Sequence, residues 1–304
     1  APQAQYYALK ITNSDGRSST VISLKALDWI AANGSVDVVY LGIHSISSLA
    51  NWTFIKNNYD VNRVLFVAPS YNITQESYPA AYEKVIGVGA HSRFVPQSVL
   101  SETGNYVDVL APGVWITTTD NVGANGLVGI NGFMGGNYND RFRGTSAACP
   151  NTAAVVALII SANPNLTGQQ ARNILEQICF KIPNGNFQPN VPGQPNGTWS
   201  NQAGYGRVDA ERSLRQAWVS ASVNINGPST FCVSANYTLN GLPPCITNVT
   251  WSLGYLNNHP NVASLSCTNC TSTTLTKIND GTVHLIATIT LPNSTITYTY
   301  EKYI

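Results

Sequence analysis

The sequence predicts an α/β domain built on a parallel sheet, followed by a smaller all-β domain. In the first 220 residues, short apolar runs rich in β-branched residues alternate with segments of helical periodicity. Beyond Val223 the helical periodicity stops, and short strand-like segments are separated by turns such as Asn279-Asp280-Gly281. A chain of 304 residues, 43% of them hydrophobic, is long enough for two domains with separate cores. We therefore place the domains at residues 1–220 and 221–304.

The predicted strands of the first domain are apolar almost throughout. They cover residues 7–11, 36–43, 64–68, 85–90 and 106–110. Strands that are apolar on both faces belong to parallel sheets covered by helices on both sides. Helical patterns fill the intervals, at 19–33, at 49–57, after Ser146, from Thr167 and from Ala210 to about Trp218. Thr167 and Gln170 have the spacing of a capping box at a helix N-terminus.

The second domain consists of short predicted strands. They cover residues 237–239, 249–252, 272–276, 283–291 and 296–303. Trp251 lies in one of them and is a candidate for a buried core residue. Short strands at this spacing around a buried tryptophan predict an Ig-like β-sandwich.

Composition narrows the function classes. Only 10% of the residues are charged and the net charge is +1, so nothing favours binding to nucleic acid or to an anionic membrane. No run of 18 or more apolar residues occurs, so we expect no membrane span. A low-charge chain rich in Asn and Thr is typical of secreted bacterial proteins, and we expect a secreted or cell-surface location.

The six cysteines fall into two groups. Cys149 and Cys179 lie in apolar helical segments and are predicted core residues. The others lie in the last third of the chain: Cys232, Cys245, Cys267 and Cys270. Cys267 and Cys270 form a C-x-x-C unit without a second pair at metal-ligand spacing, so disulfides are favoured over zinc, with the connectivity left open.

The segment Gly144-Thr145-Ser146-Ala147-Ala148-Cys149-Pro150 carries the strongest functional signal. The glycine permits a sharp turn, and the apolar residues after it predict a buried helix. The serine then lies at the helix N-terminus, where free backbone N–H groups and the helix dipole stabilise a developing negative charge. This pattern is typical of a nucleophilic serine.

Together with this motif, segments in order along the chain carry a family resemblance. They are residues 7–10, 64–72, 78–90, 107–113 and 204–210. The first domain resembles the subtilisin (S8) serine proteases over residues 5–218. The resemblance implies a three-layer α/β fold and hydrolysis of peptide bonds in protein or peptide substrates. The second domain resembles the Ig-like modules of secreted bacterial proteins.

The resemblance assigns roles to individual residues. Ser146 is the nucleophile, within a motif marked by Gly144, Thr145 and Pro150. Asn72 is the side-chain donor of the oxyanion hole, together with the Ser146 N–H. Substrate binding is assigned to Gly42, Ala68, Pro69 and Ser70. The resemblance calls for no catalytic cofactor, although members of the family often bind structural Ca²⁺; the sequence shows no acidic cluster with convincing ligand spacing.

Two segments depart from the family pattern. Ser70-Tyr71-Asn72 replaces the usual Ala-Gly-Asn, and a tyrosine restricts the backbone more than a glycine does. Gly42-Ile43-His44 replaces the Ser-Leu-Gly strand that lines the specificity pocket. His44 is predicted to face solvent or the pocket wall and not to act as the base.

The catalytic base is the missing part of the pattern. A serine hydroxyl becomes a good nucleophile when a histidine, oriented by an acid, takes its proton. The histidines lack the His-Gly-Thr context of the family: His44, His91, His259 and His284. In the family the Asp and His precede the serine, so we expect this chain to be the rear part of a longer catalytic domain and inactive alone.

Other functions remain open on the sequence. The absent base also fits a non-catalytic pseudoprotease used for adhesion or surface binding. The related sedolisins use Glu and Asp partners with an oxyanion Asp; Asn72 and the Ala148-x-Pro150 ending favour the subtilisin pattern. The sequence makes no prediction of oligomeric state.

Overall fold

The computed structural model describes residues 4–15, 17–33, 36–44, 47–62, 64–70, 78–92, 104–120, 137–241, 249–255, 262–290 and 297–304. The chain forms two compact units, Ala1–Ala217 and Trp218–Ile304.

A four-stranded parallel sheet forms the centre of the first unit. Its strands are β1 (Val38–Tyr40), β2 (Leu65–Pro69), β3 (Val85–His91) and β4 (Val109–Pro112), in that spatial order. Neighbouring strands of a parallel sheet point the same way, so all four carboxyl ends meet at one edge. This edge is where open α/β sheets bind ligands.

Helices cover both faces of the sheet. The helices of this unit are α1 (Thr20–Asn33), α2 (Leu49–Asn62), α3 (Thr145–Ala162), α4 (Gly168–Gln177) and, at its end, α5 (Ala210–Ser222). Phe66 and Ala68 of β2 share a core with Leu27 of α1 and Ile55 of α2. Side chains alternate along a strand, so their fully buried neighbour Val67 faces the opposite side. The predicted parallel sheet with helices on both faces is confirmed.

The long helix α3 packs against all four strands. It is long and apolar enough to cross a membrane by length and composition, but Val156 and Ile159 are fully buried inside the unit. These properties are those of the core helix of an α/β unit.

One predicted strand of this unit is absent, and one pair of strands was not predicted. Residues 7–11, predicted as a strand, form none, because a strand needs a partner and β1 pairs only with β2 among the described residues. A short antiparallel pair, β5 (Ile116–Thr119) with β6 (Tyr138–Phe142), was not predicted. Its strands lie 18 residues apart in sequence, so no tight-turn signal marks the pairing.

The predicted capping box at the start of α4 is present. The Thr167 hydroxyl accepts the Gln170 N–H at 3.2 Å, and the Gln170 side chain accepts the Thr167 N–H at 2.9 Å. The exchange satisfies two N–H groups that the first helical turn leaves unpaired.

A buried ion cluster joins α4 to the sheet. The Arg172 guanidinium contacts Asp108 at 3.0 Å and Glu176 at 2.6 Å, and all three side chains are largely buried. Asp108 also accepts the Gly87 N–H of β3 at 2.7 Å, and Glu176 accepts the Asn196 amide at 2.6 Å. Two carboxylates thus share one arginine. Burial raises the pKa of Asp108 to about 7, since the charged form has lost its hydration.

The second unit contains two antiparallel sheets on one core. Strands β7 (Asn224–Asn226), β8 (Ser234–Asn240), β10 (Ala263–Leu265) and β11 (Ser272–Lys277) form a sheet in the order β10-β11-β8-β7. Strands β9 (Val249–Tyr255), β12 (Val283–Thr290) and β13 (Thr297–Tyr303) form another, in the order β13-β12-β9. Tyr237 and Leu275 of the first sheet share a core with Trp251 and Leu285 of the second. Trp251 is buried, as predicted, whereas the Ig-like sandwich stays a prediction.

The cysteines follow the predicted division where the structure describes them. Cys149 and Cys179 are buried free thiols, and burial raises the pKa of both. Cys267 and Cys270 form a disulfide, and Trp251 donates its indole N–H to the Cys270 carbonyl at 2.6 Å. Cys232 is free and exposed, while Cys245 lies outside the described residues.

Candidate active site

The turn before α3 can be made only by glycine. Gly144 has φ 98° and ψ −175°, a combination that excludes residues with a Cβ. Its carbonyl accepts the N–H groups of Ala147 and Ala148, which closes the first helical turn. The sharp reversal places Ser146 at the second position of the helix, as the motif predicts.

Ser146 is exposed, whereas its neighbours Thr145, Ala147 and Ala148 are buried. Among the described residues, neither the Ser146 hydroxyl nor its N–H has a hydrogen-bond partner. A hydroxyl and a free N–H group therefore lie together at the positive end of the dipole of an 18-residue helix. This arrangement can bind an anion or stabilise one as it forms.

The end of β4 fixes the position of this turn. Gly113, which follows β4, accepts the Gly144 N–H at 2.8 Å and donates its own N–H to His91 at 3.0 Å. A Cβ at Gly113 would lie 2.6 Å from the Ala90 Cβ and 2.7 Å from the Gly144 carbonyl oxygen, so no larger residue fits. Asn151 adds a second link, with its amide donating to Pro112 at 3.1 Å.

The residues predicted to bind substrate follow two strands that end at the same edge. Gly42 lies just beyond β1 and is exposed. Pro69 ends β2, and Ala68 and Ser70 are fully buried, with the Ser70 N–H donating to Val88 at 2.9 Å. The buried residues support the edge of the sheet from within, and their contact with substrate stays a prediction.

Tyr40 connects the Gly42 segment to the helix. Its hydroxyl donates to the Ser146 carbonyl at 3.5 Å. A Cβ at Gly42 would lie 2.7 Å from the Tyr40 Cζ and hydroxyl oxygen, so the tip of the ring lies directly against this glycine. Sequence reasoning missed Tyr40. The available signal was an aromatic residue two positions before a predicted substrate-binding glycine.

Neither described histidine of this unit is hydrogen-bonded to Ser146. His44 is exposed, as expected, and follows the Gly42 segment. His91 is 4% exposed within β3 and its Nδ1 lies 3.1 Å from the Ser92 carbonyl; burial lowers its pKa. Asn72 and His259 lie outside the described residues, so the roles assigned to Asn72 stay predictions.

The described parts of the chain contain no cluster of three or more His, Cys, Asp or Glu side chains that could hold a metal ion.

Comparison with known proteins gives the family. The model of the Subtilase family matches residues 1–206. The "Calcium-dependent protease" of Trichormus variabilis is 36% identical over 171 residues, which is 51% of this chain and 24% of that protein. "Subtilisin BL" of Lederbergia lenta is 31% identical over 189 residues, which is 62% of this chain and 65% of that protein.

A solved structure supports the fold. The crystal structure of fervidolysin from Fervidobacterium pennivorans, described as a keratinolytic enzyme related to subtilisin, superposes with a TM-score of 0.54 at 21% identity. The match covers 90% of this chain and 39% of that one. The chain thus spans about a quarter to two thirds of the length of these relatives. The family model covers more than half of the residues of this chain, so the chain belongs to the subtilase family.

Proposed function

We propose that the protein is a serine endopeptidase and that Ser146 is its nucleophile. The observation that carries the proposal is the geometry of Ser146, an exposed hydroxyl beside a free N–H in the first turn of a helix. Membership of the subtilase family supports the reaction class. Thr145, Ala147 and Ala148 beside it are buried, so Ser146 carries the accessible hydroxyl of the motif.

The reaction is an acyl transfer in two steps. The Ser146 Oγ attacks the carbonyl carbon of the scissile peptide bond, and its proton passes to a base. The resulting oxyanion is held by the Ser146 N–H and, in this proposal, by the Asn72 amide; such a donor contributes about 3–4 kcal/mol in the transition state. The tetrahedral intermediate collapses, the protonated amine leaves, and water then releases the acyl group from Ser146. The base is assigned to a histidine and its orienting acid to an aspartate, neither of which is among the residues that the structure describes.

The substrate is a protein or peptide lying along the Gly42 segment. Gly42 is exposed at the carboxyl edge of the sheet, just beyond β1, the strand whose last residue, Tyr40, contacts Ser146. Backbone groups beside a glycine are open to an extended peptide. We assign Gly42 to substrate binding, with Ala68, Pro69 and Ser70 supporting the site from β2.

The second unit is proposed to be an Ig-like module of an exported enzyme. Its two antiparallel sheets share one core around Trp251, and the Cys267–Cys270 disulfide fits an oxidising compartment. A structural Ca²⁺ stays a prediction of the family resemblance, supported by two relatives named calcium-dependent proteases.

The test is peptide hydrolysis by the full-length gene product with Ser146→Ala. Removal of the nucleophile should lower kcat roughly 10⁴- to 10⁶-fold. Ser161→Ala is the matched control, because this serine is exposed at the other end of the same helix and should leave kcat unchanged. Equal rates for the two variants would contradict the proposal.

A non-catalytic binding protein is the second candidate. It is favoured by the absence, among the described residues, of a histidine hydrogen-bonded to Ser146. A full-length protein that binds peptides, hydrolyses none and does not react with a fluorophosphonate would support this candidate.

A further inference from the structure

The nucleophile's own carbonyl lacks its normal partner in the helix. In an α-helix the carbonyl of residue i accepts the N–H of residue i+4. For Ser146 that residue is Pro150, which lies inside α3 and has no N–H. The proline ring also crowds the carbonyl four residues earlier. The first turn of α3 is therefore held by one hydrogen bond fewer than a regular helix, at the residue that carries the reactive hydroxyl.

Tyr40 supplies the replacement donor from another element. Its hydroxyl donates to the Ser146 carbonyl at 3.5 Å, across 106 residues of sequence. The tip of the ring is held in this place from the other side, where it touches the Gly42 backbone. Partial burial raises the pKa of Tyr40 to about 12, with a smaller contribution from the nearby Cys149 thiol. The hydroxyl thus keeps its proton and remains a donor in the ordinary pH range.

We propose that Tyr40 is a positioning residue, which fixes the carbonyl that Pro150 leaves free and so sets the orientation of Ser146. The inference deepens the proposed function and rests on it. Tyr40 acts through the Ser146 backbone: the same peptide segment carries both the attacking hydroxyl and the N–H assigned to the oxyanion. Misplacement of a reacting group by about 1 Å can cost 10²-fold in rate, so one anchoring contact has a measurable effect.

The tip of the Tyr40 ring lies close to both Gly42, where the peptide is proposed to lie, and the Ser146 carbonyl. Because its hydroxyl acts on the Ser146 backbone, Tyr40 is assigned to orientation of the nucleophile during the chemical step and not to affinity for the substrate.

The test is a double-mutant cycle of Tyr40→Phe and Pro150→Ala in the full-length protein. Tyr40→Phe removes only the hydroxyl, and kcat should fall about three- to tenfold, the size of one neutral hydrogen bond, with KM within about twofold. Pro150→Ala restores a backbone N–H for the same carbonyl. In that background Tyr40→Phe should lower kcat less than about twofold. A merely structural role would not produce this rescue.

Tyr59→Phe is the matched control. Tyr59 is a buried residue of the first unit, and its hydroxyl donates to Gln169 at 3.0 Å, away from α3. This variant should leave kcat and KM unchanged. An equal loss of kcat from Tyr40→Phe in both backgrounds, or no loss in either, would overturn the inference while leaving the role of Ser146 intact.

A spectroscopic measurement separates the two proposals. The ¹³C carbonyl shift of Ser146 should move in Tyr40→Phe, because a carbonyl carbon responds to loss of its hydrogen-bond donor, and stay in place in Tyr59→Phe. If Ser146→Ala retains full hydrolysis, the proposed function fails even where this shift moves. If the shift does not move, the Tyr40 contact is absent and the positioning inference fails.

Discussion

The carbonyl oxygen of Gly113 lies 2.8 Å from the backbone nitrogen of Gly144 and accepts its N–H. This bond joins the end of β4 to the turn that precedes Ser146. Neither glycine can be replaced without a shift, because Gly113 has no space for a Cβ and Gly144 has a φ of 98°. The location of the candidate nucleophile is thus set by the sheet and not by the helix alone.

Gly144→Ala should therefore reduce activity more than stability. Forcing a Cβ into this backbone conformation costs about 1–3 kcal/mol of folding free energy and moves the turn. A shift of the nucleophile should lower kcat roughly 10²-fold. Gly193→Ala is the control, since Gly193 also has a positive φ, of 79°, but a Cβ there would meet nothing within 4 Å. Gly193→Ala should lower the free energy of unfolding without lowering kcat. A loss of kcat in Gly193→Ala that matches the loss in Gly144→Ala would contradict the role of the Gly144 turn in placing Ser146.

Two Arg–Glu pairs at i,i+4 spacing allow a comparison of buried and exposed ion pairs. Arg172→Met leaves the Asp108 and Glu176 carboxylates buried without their cation and should lower the free energy of unfolding by about 3–5 kcal/mol. Arg215→Met breaks an exposed pair with Glu211 and should cost at most about 0.5 kcal/mol. Urea unfolding of both variants measures the difference, and similar costs would show that the Arg172 cluster contributes little.

The raised pKa of Asp108 predicts the direction of a pH effect on stability. Burial raises this pKa from 3.8 to about 7, so between these values the folded state binds a proton that the unfolded state has lost. The contribution of Asp108 to the free energy of unfolding is full below about pH 4 and is lost as the pH rises towards about 7. The free energy of unfolding should therefore fall over this window by more in the unaltered protein than in Asp108→Asn.

Asp60→Asn provides the control for this titration. Asp60 is an exposed residue whose pKa is lowered by its hydrogen bond with Lys56. Its substitution should leave the fall in stability between about pH 4 and about pH 7 in place. If Asp108→Asn retains the same fall as the unaltered protein, another group is responsible.

Local structure was predictable from the sequence, whereas contacts between residues far apart in the chain were not. The capping box of Thr167 and Gln170 and the glycine turn at Gly144 involve residues within four positions, so their spacing specifies them. The contact of Arg172 with Asp108 spans 64 residues and that of Tyr40 with Ser146 spans 106. A lone Asp108 in an apolar strand signals a buried partner but not its identity. Residues 7–11 failed as a strand for the same reason, since their periodicity does not provide a pairing partner.

Fluorophosphonate labelling of the full-length protein, with the modified peptide located by mass spectrometry, asks whether Ser146 is an activated nucleophile. An activated serine reacts rapidly, whereas an ordinary serine does not. We expect a single adduct on Ser146, formed more slowly in Tyr40→Phe. An adduct on another serine, or none under conditions that label a known subtilase, would contradict the assignment of Ser146 as the nucleophile.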